Sequence, residues 1–158
     1  MFKLISILLF VVINLIYNIF IIAKYKTIPV SLSETSYMLG GLKRYWFTIY
    51  CVVNVLLILP NLLVAVPETF TFLVFLMCTG MLFSGVSPLF KKGLDKTVHY
   101  VSSIFSFIMF IIFMTLLMKW YCLIVFIVIL GLLVMWKKEC YVYFAEILAF
   151  IFIILYLI

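Results

Sequence analysis

Long apolar runs separated by short polar breaks organise this chain. Residues 4–23, 45–66, 69–90, 98–118, 120–136 and 140–158 form six such runs, each near the ~20 apolar residues that carry an α-helix across a bilayer. The pattern predicts an all-α, polytopic transmembrane bundle occupying residues 1–158 as a single membrane domain. The first run is followed by AKYK and supplies no A-x-A cleavage pattern, so it predicts a retained helix. From Val98 to Trp136 the only charged residue is Lys119. One straight helix of that length would reach ~60 Å, about twice the hydrocarbon thickness, so the run must break at Lys119-Trp120.

The polar residues inside the runs set the expected packing. Gly80, Ser84 and Ser87 share one face of the third run, and Asp95, His99, Ser102 and Ser106 share one face at and beyond the start of the fourth. Folding the two antiparallel about Gly93 pairs Ser87 with His99, Ser84 with Ser102 or Ser103, and Gly80 with Ser106. Asn14, Tyr17 and Asn18 share a face of the first run, and Asn54 and Asn61 a face of the second. Amides at membrane depth prefer a partner helix to lipid, so the Asn14 face should point inward. Between the first two runs, Ser31-Leu32-Ser33-Glu34 spells a capping box and predicts a short helix over 32–39, stopped by Gly40-Gly41.

Composition agrees: 70% of residues are hydrophobic and 10% charged, against roughly half and about a quarter in soluble domains. The net charge of +6 is therefore an orientation signal first. Lys24, Lys26, Lys43, Arg44, Lys91, Lys92, Lys96, Lys137 and Lys138 fall in loops after the first, third and fifth runs, whereas Lys3 and Lys119 fall on the other side. Nine basic residues against two predict cytoplasmic loops there and extracytoplasmic termini. The basic residues are scattered in pairs beside apolar runs, which argues against nucleic acid as a partner. Membrane lipids, a membrane-protein partner or a second copy are the expected partners. Cys51, Cys78, Cys122 and Cys140 show no CxxC spacing and read as small apolar packing residues.

Two ionisable groups have chemical readings. Glu146, about a third of the way into the last run, could mark a pathway or a bond between helices; without acidic residues repeating on other runs, a protonated or hydrogen-bonded structural Glu is the expectation. Asp95, His99 and Ser102 have the residue types of a hydrolase triad, yet all lie on one helix, whereas triad members converge from separate elements. With His99 as the sole histidine, a zinc site would need further ligands, and Glu34 is the available carboxylate. The expectation is a non-catalytic protein without cofactor or bound metal. The alternatives are an intramembrane lipid hydrolase using Asp95, His99 and Ser102, and a small channel or phage lysis protein lined by Asn14, Asn18, Asn54 or Glu146.

PVSLSETSYML, LILPNLL, and GMLFSGVSPLF followed by KTVHYVSS together resemble a pattern in small bacterial and bacteriophage multi-pass membrane proteins. More distantly, they are similar to the multi-pass proteins grouped with the autophagy-modulator family, which share a long first loop and a polar residue opening a later span. The resemblance covers residues 29–106 and implies six helices in a bacterial inner membrane, with no reaction attached. Intramembrane metal hydrolases of the ceramidase and receptor type carry a multi-histidine site that this chain lacks.

Overall fold

The computed structural model describes residues 2–90 and 93–158. Lys91 and Lys92 of the third basic loop therefore lie outside the described residues. The described chain is all-α: α1 (Phe2–Tyr25), α2 (Glu34–Leu39), α3 (Tyr45–Ala65), α4 (Thr71–Val86), α5 (Leu94–Leu117), α6 (Trp120–Trp136) and α7 (Tyr141–Leu157). Short 3-10 turns at Gly41–Arg44, Glu68–Phe70, Ser87–Leu89 and Lys138–Cys140 extend the helix ends.

Among the described residues, five helical stretches are long and apolar enough to cross a membrane: Lys3–Tyr25, Gly41–Ala65, Glu68–Leu89, Leu94–Leu117 and Lys138–Leu157. This corrects the expectation of six full-length spans. The long apolar run does break, with Met118 and Lys119 both extended (ψ 159° and 140°). However, α5 starts at Leu94 and takes 24 residues, leaving 17 for α6. At 1.5 Å per residue, α6 is ~26 Å long, slightly less than a ~30 Å hydrocarbon layer.

Helices α3, α4, α5, α6 and α7 pack each against the next, and α7 closes back on α3. The result is a five-helix ring, with α1 laid against α3. The tightest seam is the α4–α5 hairpin. Helix α6 is apolar all round and buries only Phe126. That ring meets Phe110 of α5 (centroids 5.7 Å apart) and Phe152 of α7 (5.5 Å), so aromatic edges knit three helices at the core. Large apolar side chains such as Leu8, Val64, Phe72 and Leu132 face outward, as lipid rather than water would require.

The first loop is tied to the bundle. The Ser31 hydroxyl accepts from the Glu34 N–H (3.1 Å) as the capping motif implied, but the Glu34 carboxylate reaches the Val30 N–H, not that of Ser31. The turn tightens over Ser31–Ser33, so α2 begins at Glu34 instead of Leu32. Gly40 and Gly41 then leave the helix with positive φ (61° and 48°), which costs a glycine nothing. Three bonds fasten the loop to the start of α7. The Tyr143 N–H donates to the Val30 carbonyl (3.0 Å), the Cys140 thiol points at the Ile28 carbonyl (3.5 Å), and the Leu32 N–H donates to Glu146 (2.7 Å). A helix start leaves its first N–H groups without intrahelical partners, and here a loop carbonyl supplies one.

Candidate functional site

The α4–α5 seam has the register that residue spacing implied. Ser84 Oγ lies 2.7 Å from Ser103 Oγ and 3.2 Å from His99 Nδ1. Ser87 Oγ is 3.5 Å from the same ring nitrogen and donates to the Ser84 carbonyl (2.8 Å). One turn deeper, Ser106 Oγ donates to the Met77 carbonyl (2.9 Å). Gly80 lies against it: a Cβ there would fall 2.8 Å from Ser106 Cβ and 3.0 Å from its Cα. The absence of a side chain on Gly80 is what lets the two backbones approach.

The triad does not assemble on this seam. Asp95 turns away from His99 and accepts from the Gly93 (3.0 Å) and Lys96 (2.8 Å) N–H groups, closing the start of α5. Ser102 donates within its own helix, to the carbonyls of Val98 (2.6 Å) and His99 (3.1 Å). His99 is buried between Ser84 and Ser87 instead. A nucleophile bonded to backbone carbonyls and an orienting carboxylate bonded to backbone amides have no path for the proton transfer that a triad performs. Glu34 is occupied in the first loop, and the described residues hold no group of three or more His, Cys, Asp or Glu suited to a metal.

A second polar layer joins α1, α3 and α7. Asn14 Nδ2 donates to Asn54 Oδ1 (2.6 Å) and to the Phe10 carbonyl (2.8 Å), and its own Oδ1 accepts from the Tyr50 hydroxyl. Asn54 Nδ2 donates to the Tyr50 carbonyl (2.8 Å), and Asn18 Oδ1 accepts from the Tyr143 hydroxyl (2.8 Å). Tyr17 stacks on Tyr50 (4.1 Å) and bonds Thr35 of α2. The Asn14 face therefore points inward. Its amides are committed to neighbouring helices rather than to a lumen.

Between these layers the ring leaves a cavity of about 100 Å³, bounded by α3, α4, α5 and α7. Its wall is mainly apolar, with Ile58, Met77, Phe107, Phe110 and Ile153 among its members. Polar groups enter from Tyr50, Ser84, Ser103, Ser106 and Glu146, and Leu32 of the first loop is also on the wall. Glu146 is half-buried and lines this space, and its Oε2 accepts from the Leu32 N–H. Among the described residues no buried side-chain nitrogen or oxygen lacks a hydrogen-bond partner, so the polar groups around the cavity are held in place. Cavities near 150 Å³ hold benzene, and drug-sized molecules need about 300 Å³ or more. This space fits one end of a lipid or a molecule of a few heavy atoms.

No known protein family, curated protein or solved structure matches the chain.

Proposed function

We propose that this chain is a non-catalytic, multi-pass protein of a bacterial inner membrane that holds one end of a lipid, or another small amphiphile, in the cavity between α3, α4, α5 and α7. The observation that carries this reading is the wall itself: an apolar space inside the helical ring, with a few convergent hydroxyls and one carboxyl, is how small-ligand sites are built. The separation of Asp95, His99 and Ser102 into unrelated hydrogen bonds favours binding over hydrolysis. The commitment of Asn14, Asn18 and Asn54 to one another's helices favours binding over conduction. Native mass spectrometry of the chain extracted in mild detergent tests it. Wild type should carry an adduct that Ala149→Phe, which fills the cavity from α7, reduces about tenfold or more. Equal adducts in both proteins would sink the proposal.

The same reading, with α6 crossing as a short sixth span beside the five long ones, sets the loops after α1, α4 and α6 in the cytoplasm and both termini outside, on the strength of nine basic residues against two. In a cysteine-free background, a single cysteine at Lys138 should be shielded from an impermeant thiol reagent in intact cells. One at Lys119 should be labelled. The opposite pattern would invert the topology.

A further inference from the structure

Among its described lining residues the cavity described above has one carboxyl group and no basic group. No Lys, Arg or His lines it among the described residues, and Glu146 is the one carboxyl group that meets the space. We infer that the cavity receives a primary ammonium group, presented by a lipid headgroup or by a free short-chain amine, with Glu146 as its counter-ion. The inference rests on the cavity being a ligand site, and it specifies the chemistry.

A carboxylate offers about four lone-pair positions. The Leu32 N–H takes one of them, at Oε2. An ammonium has three donors and no acceptor, so it complements the remaining carboxylate positions together with serine or tyrosine oxygens, each of which has acceptor capacity beyond its present bond. An anionic end, phosphate or carboxylate, would face the Glu146 carboxylate with no cationic partner among the described lining residues. A bare Ca²⁺ or Mg²⁺ ion takes six or more oxygens in a close shell, whereas this wall is mostly carbon with its hydroxyls set on three different helices. The carbon also suits an amine: Phe107 and Phe110 are among the lining residues and offer apolar contact to its stem. A volume of about 100 Å³, below that of a benzene-sized cavity, admits a chain of three to five heavy atoms (roughly) or an ethanolamine end.

Thermal unfolding of the purified full chain in mild detergent, at fixed ionic strength, separates the alternatives. The probes are n-butylammonium, n-butanol and n-butyrate, which share a four-carbon chain and differ in the charge of the head. In wild type, n-butylammonium should raise the melting temperature at concentrations about tenfold lower than n-butanol requires, and n-butyrate should not raise it. Glu146→Gln keeps a carbonyl acceptor for the Leu32 N–H and should erase the difference between the amine and the alcohol. Equal responses to amine and alcohol in wild type would overturn the ammonium assignment while leaving the cavity as a neutral ligand site, and that comparison stands even if the variant does not fold. A tenfold preference that persists in folded Glu146→Gln would also overturn it. No response to any probe, in wild type and in Ala149→Phe alike, would remove the cavity reading itself. Nanodiscs identify the source. If phosphatidylethanolamine discs abolish the n-butylammonium response that phosphatidylcholine discs preserve, the nitrogen comes from a lipid headgroup. A response preserved in both assigns the site to a free amine.

Discussion

Gly85→Ala lowers the melting temperature of the detergent-solubilised chain sharply, whereas Gly131→Ala leaves it unchanged or raises it. Both substitutions add one methyl group to a glycine inside an apolar helix, so sequence alone ranks them together. The packing does not. A Cβ on Gly85 would lie 2.3 Å from Cys51 Cβ and 2.9 Å from its Sγ, whereas a Cβ on Gly131 would meet nothing within 4 Å. Cys51 Cβ is fixed to the α3 backbone and cannot swing aside, so α3 and α4 must separate. That movement also stretches the bond from Thr48 Oγ1 to the Gly85 carbonyl, now 2.7 Å. Overpacking of this kind costs about 1–3 kcal/mol, while alanine for glycine in an open helical position gains up to ~1 kcal/mol. Gly80→Ala, with its Cβ 2.8 Å from Ser106, should also destabilise the chain. The pair Gly85→Ala and Cys51→Gly removes the clashing atom and should recover much of the loss. Similar melting temperatures for Gly85→Ala and Gly131→Ala would mean that α3 and α4 do not approach as closely as the structure has them.

What the sequence makes legible here is whatever repeats with the period of a helix. Gly80, Ser84, Ser87, His99, Ser103 and Ser106 could be registered against one another because small and polar residues recur on one face of each strand of the hairpin. Asn14, Tyr17 and Asn18 could be turned inward for the same reason. The break at Lys119 followed from length arithmetic, but the share of residues on either side did not. Helix α5 gains its first turn from Asp95 bonding the Gly93 and Lys96 N–H groups, a local competition that also removes Asp95 from His99. Glu146 was legible as a costly residue in want of a partner. Its partner was not, because the Leu32 N–H is a backbone group 114 residues away and every residue but proline has one. The cavity was invisible for a related reason. It is the volume that α3, α4, α5 and α7 fail to fill, and a residue string does not encode a gap. The close approach of Gly85 to Cys51 also lacked a signal, since neither residue belongs to a periodic polar face.

Asn14→Leu should destabilise the chain by about 1–2 kcal/mol, and the loss should be partly shared with Asn54→Leu. Leucine suits a membrane helix better than asparagine does, so hydropathy alone assigns Asn14→Leu a gain. The hydrogen bonds decide the sign. Asn14 is the hub of its layer: its amide nitrogen serves Asn54 and the Phe10 carbonyl, and its oxygen accepts from the Tyr50 hydroxyl. Removing it leaves Asn54 Oδ1 without its donor and the Tyr50 hydroxyl without its acceptor, and Asn54 is 0% exposed. A buried polar group stripped of its partner costs about 1–3 kcal/mol, more than the bond contributed while intact. Inter-helix bonds in membrane bundles average only ~0.6 kcal/mol and reach ~1.7 kcal/mol, which sets the upper part of the expected range aside. In the double variant Asn14→Leu with Asn54→Leu, the orphaned Asn54 oxygen is gone as well. The double variant should therefore cost less than the sum of the two singles, by about 0.6–1.7 kcal/mol. Reversible unfolding titrations in mixed detergent measure all three. Strict additivity would show that α1 and α3 are held together by packing alone. A stabilised Asn14→Leu would show that the asparagine layer is retained against stability, as an element of function rather than of fold.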